Sequence, residues 1–179
     1  LPAARLPTIT NRAVTGAGDP PAMANSYLQF SMVFPLKTSA EKAWCMKTMT
    51  ALTALFSGDL DLDSDDAADE ARSNVAAELG ELGQRVLDEE WSCLDFQWSI
   101  DPADPKTPGY VASMWIYAEE SGDPDQVAAF LQAYLQKFHP QGSLWFSWAS
   151  TCSKMRVGEF GGGAAVVTAA GTKFLDTQS

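Results

Sequence analysis

The sequence predicts an α+β fold of the ferredoxin-like type, a split β-α-β sandwich in which an antiparallel sheet carries helices on one face. Three observations support this prediction: strand-like alternation of apolar residues, amphipathic segments with helix caps, and the order of these elements. That order is β-α-(α)-β-β-α-β-β, and its first six core elements match the split β-α-β pattern. An extra acidic helix and a C-terminal hairpin complete the predicted fold.

The first strand is predicted over residues 27–34, where apolar side chains alternate along one face. The segment Thr38-Ser-Ala-Glu41 matches a capping box, in which the hydroxyl and the carboxylate each accept a backbone N–H. A helix should follow to about Phe56. Its predicted inward residues are Trp44, Cys45, Met49, Leu52 and Phe56.

A single second helix is predicted after an acidic stretch, although Gly80 and Gly83 weaken it. Its apolar residues recur at helical spacing and are Val75, Leu79, Leu82 and Val86. Alternating apolar residues then predict strands over 93–100 and 110–118, and prolines indicate a loop over 101–109 between them.

The last predicted helix begins after Asp123, because an N-cap aspartate followed by proline is a strong start signal. It should run to about His139, where Pro140 stops it. Two further strands are predicted over 144–150 and 164–169, and residues 173–175 are predicted to pair at an edge.

Charge is concentrated in one short stretch of the chain. Residues 59–90 hold twelve acids and two bases, a net of −10, whereas the whole chain carries −11. A phosphate backbone attracts a basic face, so this composition argues against nucleic-acid binding. One alternative function remains open, an acidic decoy that mimics DNA toward a basic protein.

Length and composition predict one domain over residues 23–179. Residues 1–22 lack sustained periodicity and are interpreted as a leader or upstream segment, with Met23 as the native start. The cysteines are three, widely separated and without a CxxC spacing, which predicts reduced thiols in the cytoplasm. No apolar run reaches the roughly 20 residues of a membrane helix, so no membrane partner is expected.

The acidic loop resembles the calcium loop of an EF-hand. Acids stand at loop positions 1, 3, 5, 7 and 12, namely Asp59, Asp61, Asp63, Asp65 and Glu70. Ser64 replaces the turn glycine and Asp66 replaces an aliphatic residue, and both departures disfavour Ca²⁺. The competing interpretation is a solvated loop whose later acids lie at a helix N-terminus.

A second candidate site is the loop that follows the fourth predicted strand. Its thiol, hydroxyl, cations and carboxylate are Cys152, Ser153, Lys154, Arg156 and Glu159. A cysteine beside cations can act as a nucleophile if a base is near, and His139 is the only histidine. The competing interpretation is a polar connection between strands. The glycines at 158 and 161–163 precede a strand, which disfavours a phosphate loop and favours close backbone approach.

Aromatic residues occupy both faces of two predicted strands. Trp115 and Tyr117 share one strand with Met114 and Ile116, and Trp145 alternates with Phe146 and Trp148 in another. A sheet that is apolar on both faces must cover the second one, with a protein partner, another copy, a ligand or the leader.

The run Thr151-Cys-Ser-Lys-Met-Arg-Val-Gly-Glu-Phe-Gly-Gly-Gly-Ala164 resembles a signature in a group of uncharacterised bacterial proteins. The segments at 23–31 and 115–124 are similar to that group as well, so the resemblance covers most of residues 23–175. The group has no assigned activity, and the resemblance therefore implies no catalytic residues.

Together these observations favour a small cytoplasmic, non-enzymatic protein-binding or regulatory domain without a cofactor. The first alternative is an enzyme or small-ligand binder that uses the loop from Cys152 to Glu159. The acidic DNA mimic is the second alternative.

Overall fold

A computed structural model describes residues 25–56, 65–89, 91–103, 108–153 and 160–176. Within α2, the side chains of residues 65–69, 71 and 72 are not described. The elements are β1 (Ser26–Leu36), α1 (Ser39–Phe56), α2 (Asp65–Leu79), α3 (Glu81–Asp88), β2 (Gln97–Pro102), β3 (Ala112–Ala118), α4 (Pro124–Phe138), β4 (Ser143–Cys152), β5 (Gly161–Thr168) and β6 (Gly171–Asp176).

The strands form a six-stranded sheet in the order β2-β3-β1-β4-β5-β6, and every neighbouring pair is antiparallel. The α+β class and the antiparallel sheet predicted from the sequence are therefore confirmed. Strand β6 pairs at one edge, as expected for residues 173–175. The predicted leader, residues 1–22, lies outside the described residues.

The core lies between one face of the sheet, here called the inner face, and helices α1 and α4. Alternate residues of β1 are buried there, including Phe30, Met32 and Phe34. Phe34 contacts the Tyr134 ring of α4 at a centroid distance of 5.1 Å. Each large apolar side chain buried in this way stabilises the fold by about 1.5–3 kcal/mol.

Most of the predicted inward face of α1 is confirmed. Cys45, Met49 and Leu52 are fully buried. Trp44 and Phe56 are half-buried at the margin of the core, and the Trp44 indole stacks on Phe130 at 5.8 Å. Helix α1 is thus fixed to α4 through aromatic contacts as well as to the sheet.

The start of α4 is the one that the sequence predicts. Asp123 is extended, and its carboxylate accepts the backbone N–H of Asp125 at 2.8 Å. Pro124 occupies the first helical position, where a missing N–H is not needed.

The single second helix predicted from the sequence is wrong, because two helices replace it. Gly80 separates α2 from α3 with a φ of 63°, a left-handed conformation that glycine adopts without a steric penalty. Leu82 and Val86 are buried on α3, whereas Val75 and Leu79 on α2 are half-buried. The break therefore lets α3 turn its apolar residues toward α4 independently of α2.

Strand β2 begins at Gln97, later than the predicted start at residue 93, and it extends through Pro102 into the predicted loop. The buried side chain of Gln126 explains the late start. Its amide donates to the Cys93 carbonyl and accepts the Asp95 N–H, both at 3.0 Å. The backbone before β2 therefore bonds to α4 rather than to a strand.

The glycines of β5 are constrained by close contacts. Among the described glycines a positive φ occurs at positions 80, 109 and 171, and none of these lies in β5. A Cβ on Gly162 would clash with the Trp148 carbonyl, and one on Gly163 would clash with the Trp148 indole. The predicted close approach of a neighbouring backbone is confirmed at Gly162.

None of the helices in the described part of the chain combines the length and the apolar character needed to cross a bilayer.

Gly162→Val should destabilise the fold by about 3 kcal/mol, because overpacking against backbone cannot be relieved by a rotamer change. Urea unfolding measures the difference. Ala164→Val on the same face of β5 is the control, and it should cost less than about 1 kcal/mol. Equal stability of the Gly162 variant and the control would contradict the close approach.

Candidate functional site

The face of the sheet that points away from α1 and α4, here called the outer face, exposes large apolar side chains in the described part of the chain. It consists of the odd-numbered residues at 27–35, 97–101, 113–117, 143–151 and 171–175 and the even-numbered residues at 162–168. Trp145, Leu175 and Val33 are 71%, 69% and 63% exposed there. Such a set of apolar side chains is typical of an interaction surface.

Two aromatic residues of the outer face are held in place before any partner arrives. The Trp115 and Tyr117 rings stack with centroids 4.2 Å apart. The Trp115 indole also donates to the Ser31 hydroxyl at 2.9 Å, across the β1–β3 pair. Side chains that are already ordered lose little entropy on binding, so this pair favours affinity.

The outer face is nearly free of charge. Its strand positions carry two charged residues, Asp101 on β2 and Lys173 on β6. They stand at opposite edges of the sheet, because β2 and β6 are its terminal strands.

A second candidate site surrounds the buried carboxylate of Glu41. It accepts the Lys37 N–H at 2.6 Å and the Tyr134 hydroxyl at 3.0 Å. His139 Nε2 lies 3.5 Å from the other carboxylate oxygen and 3.2 Å from the Tyr134 hydroxyl. Glu41, Tyr134 and His139 are called the Glu41 cluster below.

The capping box at the start of α1 is only half formed. The Thr38 hydroxyl accepts the Glu41 N–H at 3.2 Å, as the sequence predicts. The carboxylate, however, takes the N–H of Lys37, one residue earlier than a capping box requires. Tyr134 and His139 draw the carboxylate inward, and it therefore joins α1 to α4.

Hydrogen bonding decides the ionisation of the Glu41 cluster. Burial acts to raise the pKa of Glu41, but the bonds from Lys37 and Tyr134 and the charge of His139 outweigh it, so this pKa lies below 4.5. Burial and the bond to Glu41 raise the pKa of Tyr134 well above its usual value. At neutral pH the cluster therefore holds an ionised carboxylate and a neutral phenol.

A cavity of about 370 Å³ adjoins the Glu41 cluster. It lies between the end of β1, the end of α4 and residues 140–144, and Tyr134 and His139 form part of its wall. Its volume falls in the range of small-molecule sites, roughly 300–1,000 Å³.

The structure describes only part of the predicted loop site. Cys152 ends β4 and is half-buried, and Ser153 is exposed. The Ser153 hydroxyl accepts the Asn25 N–H, and the backbone N–H of Ser153 donates to the Asn25 carbonyl, both at 2.9 Å. Lys154, Arg156 and Glu159 lie outside the described residues, so their grouping with Cys152 stays a prediction.

A pair between Cys152 and His139 is not formed. His139 lies just before β4, beside Ser143, and Cys152 is at the far end of this ten-residue strand. An extended strand of that length spans about 30 Å. His139, the base suggested for a cysteine nucleophile, is thus far from Cys152 and contacts Glu41 and Tyr134 instead.

The structure also describes only part of the predicted calcium loop. Asp59, Asp61 and Asp63 lie outside the described residues. Asp65 begins α2, and Glu70 is exposed on that helix. Elsewhere in the described residues, no group of three His, Cys, Asp or Glu could hold a metal ion.

Sequence reasoning missed the Glu41 cluster because its members are far apart along the chain. In the sequence alone, Glu41 indicates a helix cap and His139 a helix end, and no local pattern connects the two. The one local signal is that the chain's single histidine ends a predicted helix.

Comparisons with known proteins returned no match to a family model, to a curated protein or to a solved structure. The resemblance to a bacterial group stays a prediction.

Glu41→Gln should reduce the pH dependence of stability. Because the folded pKa lies below 4.5, the ionised carboxylate stabilises the protein above that pH, and this contribution is lost as pH falls through the lower folded value. The loss in unfolding free energy between pH 7 and pH 3, measured with urea, should be smaller in the variant. Glu78→Gln is the control, since its pair with Lys47 is exposed. An unchanged pH dependence in Glu41→Gln would contradict the cluster.

Thiol labelling at pH 7.5 should separate the three cysteines. Cys45 is buried, and burial together with the Glu41 charge raises its pKa to about 12, so it should react only on unfolding. Cys93 is exposed, although its bond to Asp95 raises its pKa. Mass spectrometry should therefore find Cys93 and Cys152 modified first. Early modification of Cys45 would contradict the packing of α1.

Proposed function

We propose that this chain is a non-enzymatic protein-binding module and that its outer face binds a second copy of itself. The observation that carries this proposal is the exposure of Trp145, Leu175 and Val33 on one uncovered sheet face. Trp residues are frequent at the energetic centres of interfaces. Packing two such faces together would remove these side chains from water.

The size of the outer face supports a symmetric pair. Six strands spaced about 4.8 Å apart and about 25 Å long present roughly 600 Å² in projection. Two such faces bury about 1,200 Å² in total, which is the lower end of the range for stable interfaces. Sheets that pack in this way lie about 10 Å apart.

Charge on the outer face favours a second copy over an unrelated partner. A two-fold axis parallel to the strands would place β2 of one copy over β6 of the other, because these strands are at opposite edges. Asp101 would then approach Lys173 of the other copy twice in each dimer. The remaining outer-face positions are uncharged, so no like charges oppose this arrangement.

We also infer a ferredoxin-like arrangement for β1 to β4 with α1 and α4. The order β2-β3-β1-β4 supports it, since β3 fills the gap between β1 and β2, and β1 fills the gap between β3 and β4. A cytoplasmic location is proposed as well. Cys45, Cys93 and Cys152 are all free thiols, which supports a reducing compartment.

Light scattering at micromolar concentration should give the mass of a dimer. Trp145→Ser should shift the protein to monomer, because it removes the most exposed aromatic residue of the outer face. Asp101→Lys and Lys173→Asp should each weaken the dimer about tenfold in Kd by opposing like charges, and the double variant should restore it.

Lys47→Asp, an exposed change on α1, is the matched control and should leave the dimer intact. A monomeric wild-type protein at 100 μM would overturn the proposal. A dimer that Trp145→Ser does not weaken would place the interface elsewhere. If Trp145→Ser abolishes the dimer but neither charge reversal weakens it, the outer face is the interface and the proposed orientation is wrong.

A further inference from the structure

We propose that the cavity beside the Glu41 cluster binds a small carboxylic acid with an apolar body. The cavity lies at the ends of β1 and α4 and shares only Pro35 and Ser143 with the outer face, so the exposed aromatic residues of that face are not part of it. The inference therefore does not depend on self-association.

The wall of the cavity suits an apolar ligand body. Phe34, Pro35, Leu135, Pro140 and Leu144 supply apolar side chains around it. A volume of about 370 Å³ accommodates a molecule with one or two rings. Burial of such a body in an apolar wall would stabilise the complex in proportion to the apolar area removed from water.

The charge of the lining favours an anionic group on the ligand. Lys37 and His139 line the cavity, and none of its lining residues is acidic. This contrasts with a chain whose net charge is −11. Lys37 is exposed at the edge of the cavity, where its flexible four-carbon stem lets the ammonium group reach a bound carboxylate.

The Glu41 carboxylate is not part of the cavity lining, and the donors of the cluster already face it. Only 4% of its side chain is exposed. It accepts from Lys37 N and from Tyr134, and His139 Nε2 faces its second oxygen. Nε2 of His139 is already engaged by this network, so we assign the ligand carboxylate to the Lys37 ammonium, with the His139 ring in the cavity wall.

The single histidine of the chain makes this proposal directly testable. Its imidazole Hε1 gives one NMR signal, which is followed at pH 6.5 while 2-naphthoate is added. We expect a saturable shift with a Kd below about 1 mM. The neutral isostere 2-naphthamide should bind at least fivefold more weakly, and Lys37→Gln should weaken 2-naphthoate binding by a similar factor.

Two controls locate the binding. Trp145→Ser should leave the 2-naphthoate affinity unchanged, since Trp145 lies on the outer face. Lys42→Gln removes an exposed cation from α1 outside the cavity lining, and it should also have no effect. Unaltered melting temperatures of both lysine variants show that their folds are intact.

The proposal is overturned if His139 shows no saturable shift up to 5 mM 2-naphthoate. It is equally overturned if 2-naphthamide binds as well as the acid, or if Trp145→Ser abolishes binding. Equal effects of Lys37→Gln and Lys42→Gln would indicate a general surface charge effect and would also reject the site.

Discussion

The buried carboxylate of Glu41 is the interaction on which the position of both core helices depends. An ionised carboxylate inside an apolar core is costly unless donors surround it. Three elements supply those donors: the end of β1 through Lys37 N, and α4 and its C-cap through Tyr134 and His139. If one donor is removed, the charge stays buried with less compensation, so the helices cannot shift independently.

Alternation along the strands divides the sheet into an inner face that forms the core and an outer face that stays in water. Phe146 and Trp145 are neighbours in β4, yet the first is buried and the second is the most exposed large apolar residue described. A single layer of helices covers the inner face, through α1 and α4. The aromatic residues on the outer face consequently do not stabilise the described monomer through core packing.

Local signals predicted the strands and the capped helices well, because alternation and caps act over a few residues. The N-cap of Asp123 and the edge pairing of β6 are examples. Features that depend on distant partners were not predictable in this way. The start of β2 is set by Gln126, about thirty positions away from Cys93 and Asp95. The Glu41 cluster joins residues 93 positions apart, and the close approach at Gly162 requires the β4–β5 register.

The break at Gly80 lets α2 and α3 run in different directions on the helical side of the sheet. Helix α2 packs on α1, and α3 packs on α4. Glu70, Glu78, Glu81, Asp88 and Glu89 are all exposed on these two segments. The outer face, in contrast, carries one acid and one base. Among the described residues, the molecule therefore concentrates negative charge on α2 and α3 and not on the outer face. On an anion-exchange resin it would adsorb through α2 and α3 and leave the aromatic face of the sheet turned toward the solvent.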